Sequence, residues 1–316
     1  MPGLATIWRK EMADHFSSWR FIILFAVAIL AGFYANYVAS QSIKAAVAEG
    51  GVAEFVFLRL FTASREALPP FVSLISFVGP LLGLALGFDA INRERSGGTL
   101  SRILAQPVYR DSIINGKFLA GLTTIAVILA AIALVASGTG LRLIGVTPTL
   151  GEAMRILVFL GISVIYVAFW MGISILFSIL FRSAATSALA AIGAWLFFTI
   201  FLSMVAGVVA NSVAPLGPEA TVDAALRNGE VQRMIMRVSP SQLFGEATGI
   251  VLHPNVPTLG ALTFIEVLTM RMHLNPLPLG QSLLIVWPHL TTLIALSVVS
   301  FAISYVVFLR QEIRSS

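Results

Sequence analysis

Two strongly apolar runs are separated at residues 87–121 by the charged, glycine-interrupted stretch GFDAINRERSGGTLSRILAQPVYRDSIINGKFLAG. Its chemistry is that of docking rather than bond making. Asp89 and Arg93 are one helical turn apart and can pair, and Arg93 and Arg95 suit the negative end of a helix dipole. Gly97 and Gly98 break that helix, and Thr99 is placed to cap a short second one. There Leu100, Ile103 and Leu104 share a face, Arg102 sits apart, and Pro107 ends the turn. Asp111 or Ser112 can cap the next long helix, with Lys117 snorkelling towards the phosphates. A short amphipathic helix lying parallel to a membrane, its apolar face free to enter a groove on a partner, fits these spacings. A solvated loop with positive-inside arginines is the plainer alternative. Force transmission to a cytoplasmic partner is the leading functional idea.

Residues able to make or break bonds are thinly spread. Cysteine is absent, which removes disulfides, thiolate metal sites and a cysteine nucleophile. His15, His253, His273 and His289 are scattered without an H-E-x-x-H pattern, so no metal site is expected. Ser163 and Ser174 follow Gly-Ile but lack the G-x-S-x-G elbow, and an internal hydrogen bond is their expected role. No G-x-x-x-x-G-K-[ST] phosphate loop occurs, so the chain is not expected to be an enzyme or to hold ATP, and no catalytic residue is assigned.

The elements that must position the loop follow from composition. Of 316 residues 58% are hydrophobic and 11% charged, far from the balance of a soluble domain. Segments 19–38, 70–91, 114–137, 156–181, 184–210 and 282–309 are each long and apolar enough to cross a bilayer as α-helices. The fold class is therefore an all-α integral membrane protein with six transmembrane helices. An even number of crossings puts both termini on one side. Basic density on the short loops (Arg9, Lys10, Arg93, Arg95, Arg102, Arg182) favours the cytoplasm of a multi-pass plasma-membrane protein. The net charge of +5 is spread between apolar runs without a basic stripe, so no nucleic-acid partner is expected.

Residues 1–18 read as an interfacial amphipathic helix, with Leu4, Trp8, Met12, Phe16 and Trp19 on one face; Glu11 and Asp14 argue against a signal peptide. Residues 19–316 form the six-span domain, with the loop at 92–112. Gly79, Gly83 and Gly87 leave one face of the second span bare for close helix packing, either within the chain or between subunits, and Pro80 kinks that span. On the far side, Val52, Phe55, Val56, Arg59 and Leu60 form a helical pattern suited to the membrane surface. Residues 211–281 are too long for a bare connection and read as an extracellular helical cap. Ser239 and Pro240 start one helix there, with Leu243, Phe244, Ala247 and Val251 on its apolar face. A further helix is possible at 258–272. Tyr166, Trp170, Trp195 and Phe198 could line a pathway or face lipid.

The loop resembles the signature of type-2 ABC transporter permeases: an acidic residue, an ER step, a GTL step, a PV step with a following arginine, and GKF. These stand at Asp89, at Glu94 with Arg95, at Gly98 to Leu100, at Pro107 with Val108, at Arg110, and at Gly116 to Phe118. Ser96 stands where many members carry a second glutamate. The loop is similar both to multidrug or peptide exporters and to permeases that mature nitrous-oxide reductase. The resemblance implies a dimeric permease, as homodimer or related heterodimer, embedded in lipid. It also implies two copies of a separate ABC ATPase that carry ATP and magnesium and seat on the coupling helix. Scarce membrane-embedded acids point to an apolar or amphipathic cargo and weigh against an ion- or proton-coupled carrier or channel. A membrane enzyme or scaffold, or a maturation permease serving an extracytoplasmic copper enzyme, are the other readings.

Overall fold

The computed structural model describes residues 3–48, 55–63, 70–99, 109–217, 221–254 and 276–311. Its helices are α1 (Leu4–Phe16), α2 (Trp19–Ala48), α3 (Val56–Thr62), α4 (Phe71–Gly87), α5 (Asn92–Ser96), α6 (Arg110–Ile144) and α7 (Leu150–Leu180). After these come α8 (Ala184–Leu196), a π-helical turn (Phe197–Phe201), α9 (Leu202–Val213), α10 (Val222–Met236), α11 (Pro240–Leu252) and α12 (Leu279–Arg310). Six helical stretches are long and apolar enough to cross a membrane, and no strand occurs among the described residues. The first crossing continues well past residue 38, because helix persists through Gln41 and Lys44 after the apolar run has ended.

The fourth crossing, α7, is the hub. Gly79, Gly83 and Gly87 of α4 face it inside the same chain: a Cβ on Gly83 would lie 2.6 Å from the Val167 carbonyl, and one on Gly87 2.7 Å from Cβ of Ser174. At that distance the Ser174 hydroxyl donates to the Leu84 carbonyl (2.9 Å). Pro80 has no N–H, so the Ser76 carbonyl loses its intrahelical partner; the buried Tyr166 hydroxyl donates to it instead at 2.8 Å. Tyr166 and Trp170 are fully buried, and Trp195 packs edge-on against Phe77, so these aromatics serve the bundle's interior rather than a pathway or a lipid face.

Helix α3 does not lie on the surface. Phe57, Leu58, Leu60 and Phe61 are all buried, and the Phe57 amide donates to Glu152, whose other oxygen completes a capping box with Thr149. The helices expected in 211–281 are present as α10 and α11, but they sit deeper than a cap. Ser239, at their junction, donates to the Phe198 carbonyl halfway along the fifth crossing, and Ser241 meets Tyr166 near the centre of α7. The apolar face Leu243, Phe244, Ala247 and Val251 is buried against the crossings, where close packing of side chains holds it. Arg155 fastens the far end, donating to the carbonyls of Val251 and Leu277 and to Ser282. The possible helix at 258–272 lies outside the described residues.

Candidate coupling site at the terminal face

The polar loop begins where α4 unwinds beyond Gly87. The Ser178 hydroxyl of α7 accepts the amides of Ile91 and Asn92 (3.0 and 3.2 Å), satisfying donors at the start of α5. Helix α5 ends at Gly97, and Gly98 adopts a left-handed φ of 63° that a side chain would strain. Thr99 turns back, its hydroxyl donating to the Glu94 carbonyl at 3.2 Å, which tethers it to α5; the helix it is expected to cap lies outside the described residues. Leu100, Ile103, Leu104 and Pro107 lie outside the described residues. The chain returns at Tyr109, which occupies the N-cap of α6 without a side-chain bond; Asp111 accepts the Ser112 amide (2.7 Å) one residue inside the helix, because α6 starts earlier than the apolar run.

Both sides of the loop are fastened to one residue. Arg95, before it, donates to Oε1 of Gln311 at 2.7 Å, and Arg110, after it, donates to the Gln311 carbonyl at 3.2 Å. The Gln311 amide donates in turn to the Ile179 carbonyl of α7 (3.3 Å). The end of the sixth crossing thereby holds the loop's two ends against the end of the fourth.

A second fastening is ionic. Lys117 does not snorkel outward: it is 7% exposed, and its ammonium lies 3.0 Å from Glu11 and 2.9 Å from Glu94. Lys10 meets Glu11 at 3.0 Å, Asp14 at 3.4 Å and Glu94 at 3.8 Å. Two carboxylates and two ammoniums alternate, joining α1, α5 and α6. Burial alone would push Glu11 up, but the Lys117 and Lys10 ammoniums outweigh it and hold the carboxyl below its ordinary value. Burial would push Lys10 down; Glu11, Glu94 and Asp14 together raise it. His15, beside them, is pushed down by its own burial. Helix α1 consequently packs along α6, with Trp8 donating to Thr123 (3.1 Å) and Ile7 filling the notch at Gly116. Asp89 and Arg93 line a cleft of about 840 Å³ between α1 and this loop, together with Lys10, Glu94 and Lys117.

Gln311, Glu11 and Lys10 are absent from the sequence-based set. Glu11 had a signal: it follows Leu4 by seven residues and Trp8 by three, which sets a charge on the apolar face of α1. A buried charge requires a partner there.

Residues 5–313 match the family model described as ABC-2 family transporter protein. The chain belongs to the ABC-2 transporter family. It is similar to the "Probable ABC transporter permease protein NosY" of Pseudomonas aeruginosa, 29% identical over 209 residues that cover 65% of this chain and 70% of the relative. It is also similar to the protein of the same description from Stutzerimonas stutzeri, 41% identical over 58 residues, 18% of this chain and 21% of that one. This ABC-2 protein is a multi-pass permease subunit of an ABC transporter, and its family implies association with an ABC ATPase subunit.

Proposed function

We propose that this chain forms the translocation pathway for ATP-driven export of an amphipathic or apolar cargo, with both termini in the cytoplasm and the plasma membrane as its site. Two permease copies, as a homodimer or related heterodimer, assemble with two copies of a separate ATPase that carries ATP and magnesium; this chain carries no cofactor of its own. Residues 92–112 transmit the ATPase's motion. The supporting observation is the double fastening. A segment that transmits force needs stiff connections at both ends, and here Arg95 and Arg110 converge on Gln311 while Glu94 and Lys117 join α5 to α6. Motion of the loop is then shared by the fourth, sixth and third crossings and by α1.

The test is introduction of a charge on the helix's apolar face in the reconstituted complex. Leu100→Glu, Ile103→Glu or Leu104→Glu is expected to abolish cargo stimulation of ATP hydrolysis while the spans remain inserted. Full stimulated hydrolysis in all three variants would refute the coupling role.

A further inference from the structure

Arg237 stands at the turn between α10 and α11, beside Ser239 and Ser241. Those serines contact Phe198 and Tyr166, near the midpoints of the fifth and fourth crossings. The sixth crossing gives the same depth independently. Ser297 donates to the Ile165 carbonyl at the centre of α7, and His289, which shares a carboxylate with Arg237, lies about two turns nearer the far side, ~12 Å at 1.5 Å per residue. The guanidinium therefore sits within the hydrocarbon thickness, in the half remote from the termini. A charge at that depth is expensive unless it faces protein or a water-filled route.

Its surroundings hold it in one orientation. Glu246, with a side chain 7% exposed, accepts Nε of Arg237 at 3.0 Å and Nε2 of His289 at 2.7 Å on one oxygen, and the Gln242 amide at 2.8 Å on the other. Three of the carboxylate's roughly four acceptor sites are used within the cluster. The guanidinium has five N–H donors, and only that on Nε is consumed. The four on its two Nη atoms meet no partner among the described residues, and the side chain is 43% exposed. An oriented arginine thus turns an unused, planar donor edge outward in the half of the hydrocarbon layer remote from the termini, near the π-helical turn Phe197–Phe201, a type of irregularity common at functional sites. That edge matches a carboxylate or phosphate bidentately, which a lysine cannot do.

We propose that Arg237 binds the oxyanion group, carboxylate or phosphate, of an amphipathic anionic cargo, with Glu246, Gln242 and His289 as positioning residues. This rests on the permease reading above and narrows its cargo class. The unmet Nη donors explain why a charge is kept at this depth: water solvates them between cycles and the cargo's anion replaces that water during transport. A purely apolar cargo would leave the donors unsatisfied.

The test uses the permease with its co-purified ATPase in phosphatidylcholine vesicles, reading excitation transfer from tryptophan to pyrene-labelled dodecanoate and to the matched neutral pyrene-labelled dodecanol. Presence of the ATPase is scored by gel first, and its absence overturns the permease reading on which the site rests. With it present, the carboxylate is expected to bind about tenfold more tightly than the alcohol, the advantage of one charge-assisted pair. Arg237→Gln should remove that preference while leaving alcohol binding unchanged, and Arg237→Lys should keep a reduced part of it; if the glutamine variant does not assemble, the lysine variant carries the test. Glu246→Gln, which frees the guanidinium to swing, should weaken carboxylate binding alone. The surface variant Arg227→Gln should behave as wild type. Equal binding of the two probes by wild type, or an undiminished preference in Arg237→Gln and Arg237→Lys, overturns the proposal. Displacement by acetate as effective as by dodecanoate overturns its amphiphile clause.

Discussion

Two buried ionic clusters, one near each face of the bundle, are built from the same parts and closed differently. Near the termini, Glu11 and Glu94 alternate with Lys10 and Lys117. In the opposite half, Glu246 gathers Arg237, His289 and Gln242 around one carboxylate. The first cluster joins three separate elements, the leader helix, the end of the second crossing and the start of the third. The second leaves a guanidinium edge open. The first cluster behaves as a joint, because its charges pair across three elements in one arrangement, with only Oε2 of Glu94 lacking a hydrogen bond among the described residues. An open cluster behaves as a receptor, because part of its donor capacity is left for something else.

The contrast is broken most severely at Lys117. Its replacement by Met leaves the buried Glu11 and Glu94 carboxylates to share the half-exposed Lys10 alone, and a loss of about 2–3 kcal/mol is expected. Chemical denaturation of the detergent-solubilised protein would measure it. Arg237→Gln in the open cluster should cost much less stability, because the guanidinium is already partly exposed. Equal losses at the two sites would erase the distinction between joint and receptor.

A second comparison concerns how the hub is packed. Gly83→Val should destabilise the α4–α7 contact by roughly 2–3 kcal/mol, since backbone oxygen and nitrogen atoms of α7 stand where the new Cβ must go. Tyr166→Phe should cost about 1–2 kcal/mol by orphaning the Ser76 carbonyl. Adding Pro80→Ala restores an N–H to that carbonyl and should recover most of the loss. Thermal unfolding of the single and double variants forms a cycle, and additivity would show that proline and tyrosine are not coupled.

The smallest expected effect is that of pH on the joint. Glu11 and His15 both have lowered values when folded, so each contributes docking stability that is complete above its unfolded value and lost as pH falls through the folded one. Loosening of α1 is expected to begin below about pH 6.5 through His15 and to deepen below about 4.5 through Glu11. Lys10, raised, adds stability present below about 10.5 and lost as pH climbs through its higher folded value. Limited proteolysis of α1 across that range would show accessibility rising at both extremes, with the plateau between them. Protection that increased under acid would contradict the assignment.

Most of the frame is legible in the sequence because a bilayer makes hydropathy and length sufficient. Six apolar runs give six crossings, and the glycines at four-residue spacing in α4 mark a face with no side chains, here applied to α7. The loop's charges were legible as a group but their partners were not. Gln311 is a single uncharged residue at a helix end, and no periodicity marks a residue whose importance comes from two arginines over two hundred positions away. The depth of α10 and α11 was illegible for a related reason. Nothing in the spacing of Arg237, Glu246 and His289 joins them; the turn at Ser239, placed against Phe198, does. Depth in the membrane is a tertiary quantity, and helices too short to span carry no hydropathy signal for it.

The central claim is that the peptide between the second and third crossings seats in an ATPase on the side of the termini. The most direct measurement places a photocrosslinking amino acid at Leu104 and illuminates intact membranes. The expected product is a covalent adduct with an ABC ATPase whose yield changes with nucleotide. Labelling of the same position by a membrane-impermeant reagent from outside the cell, with no ATPase adduct, would contradict the account.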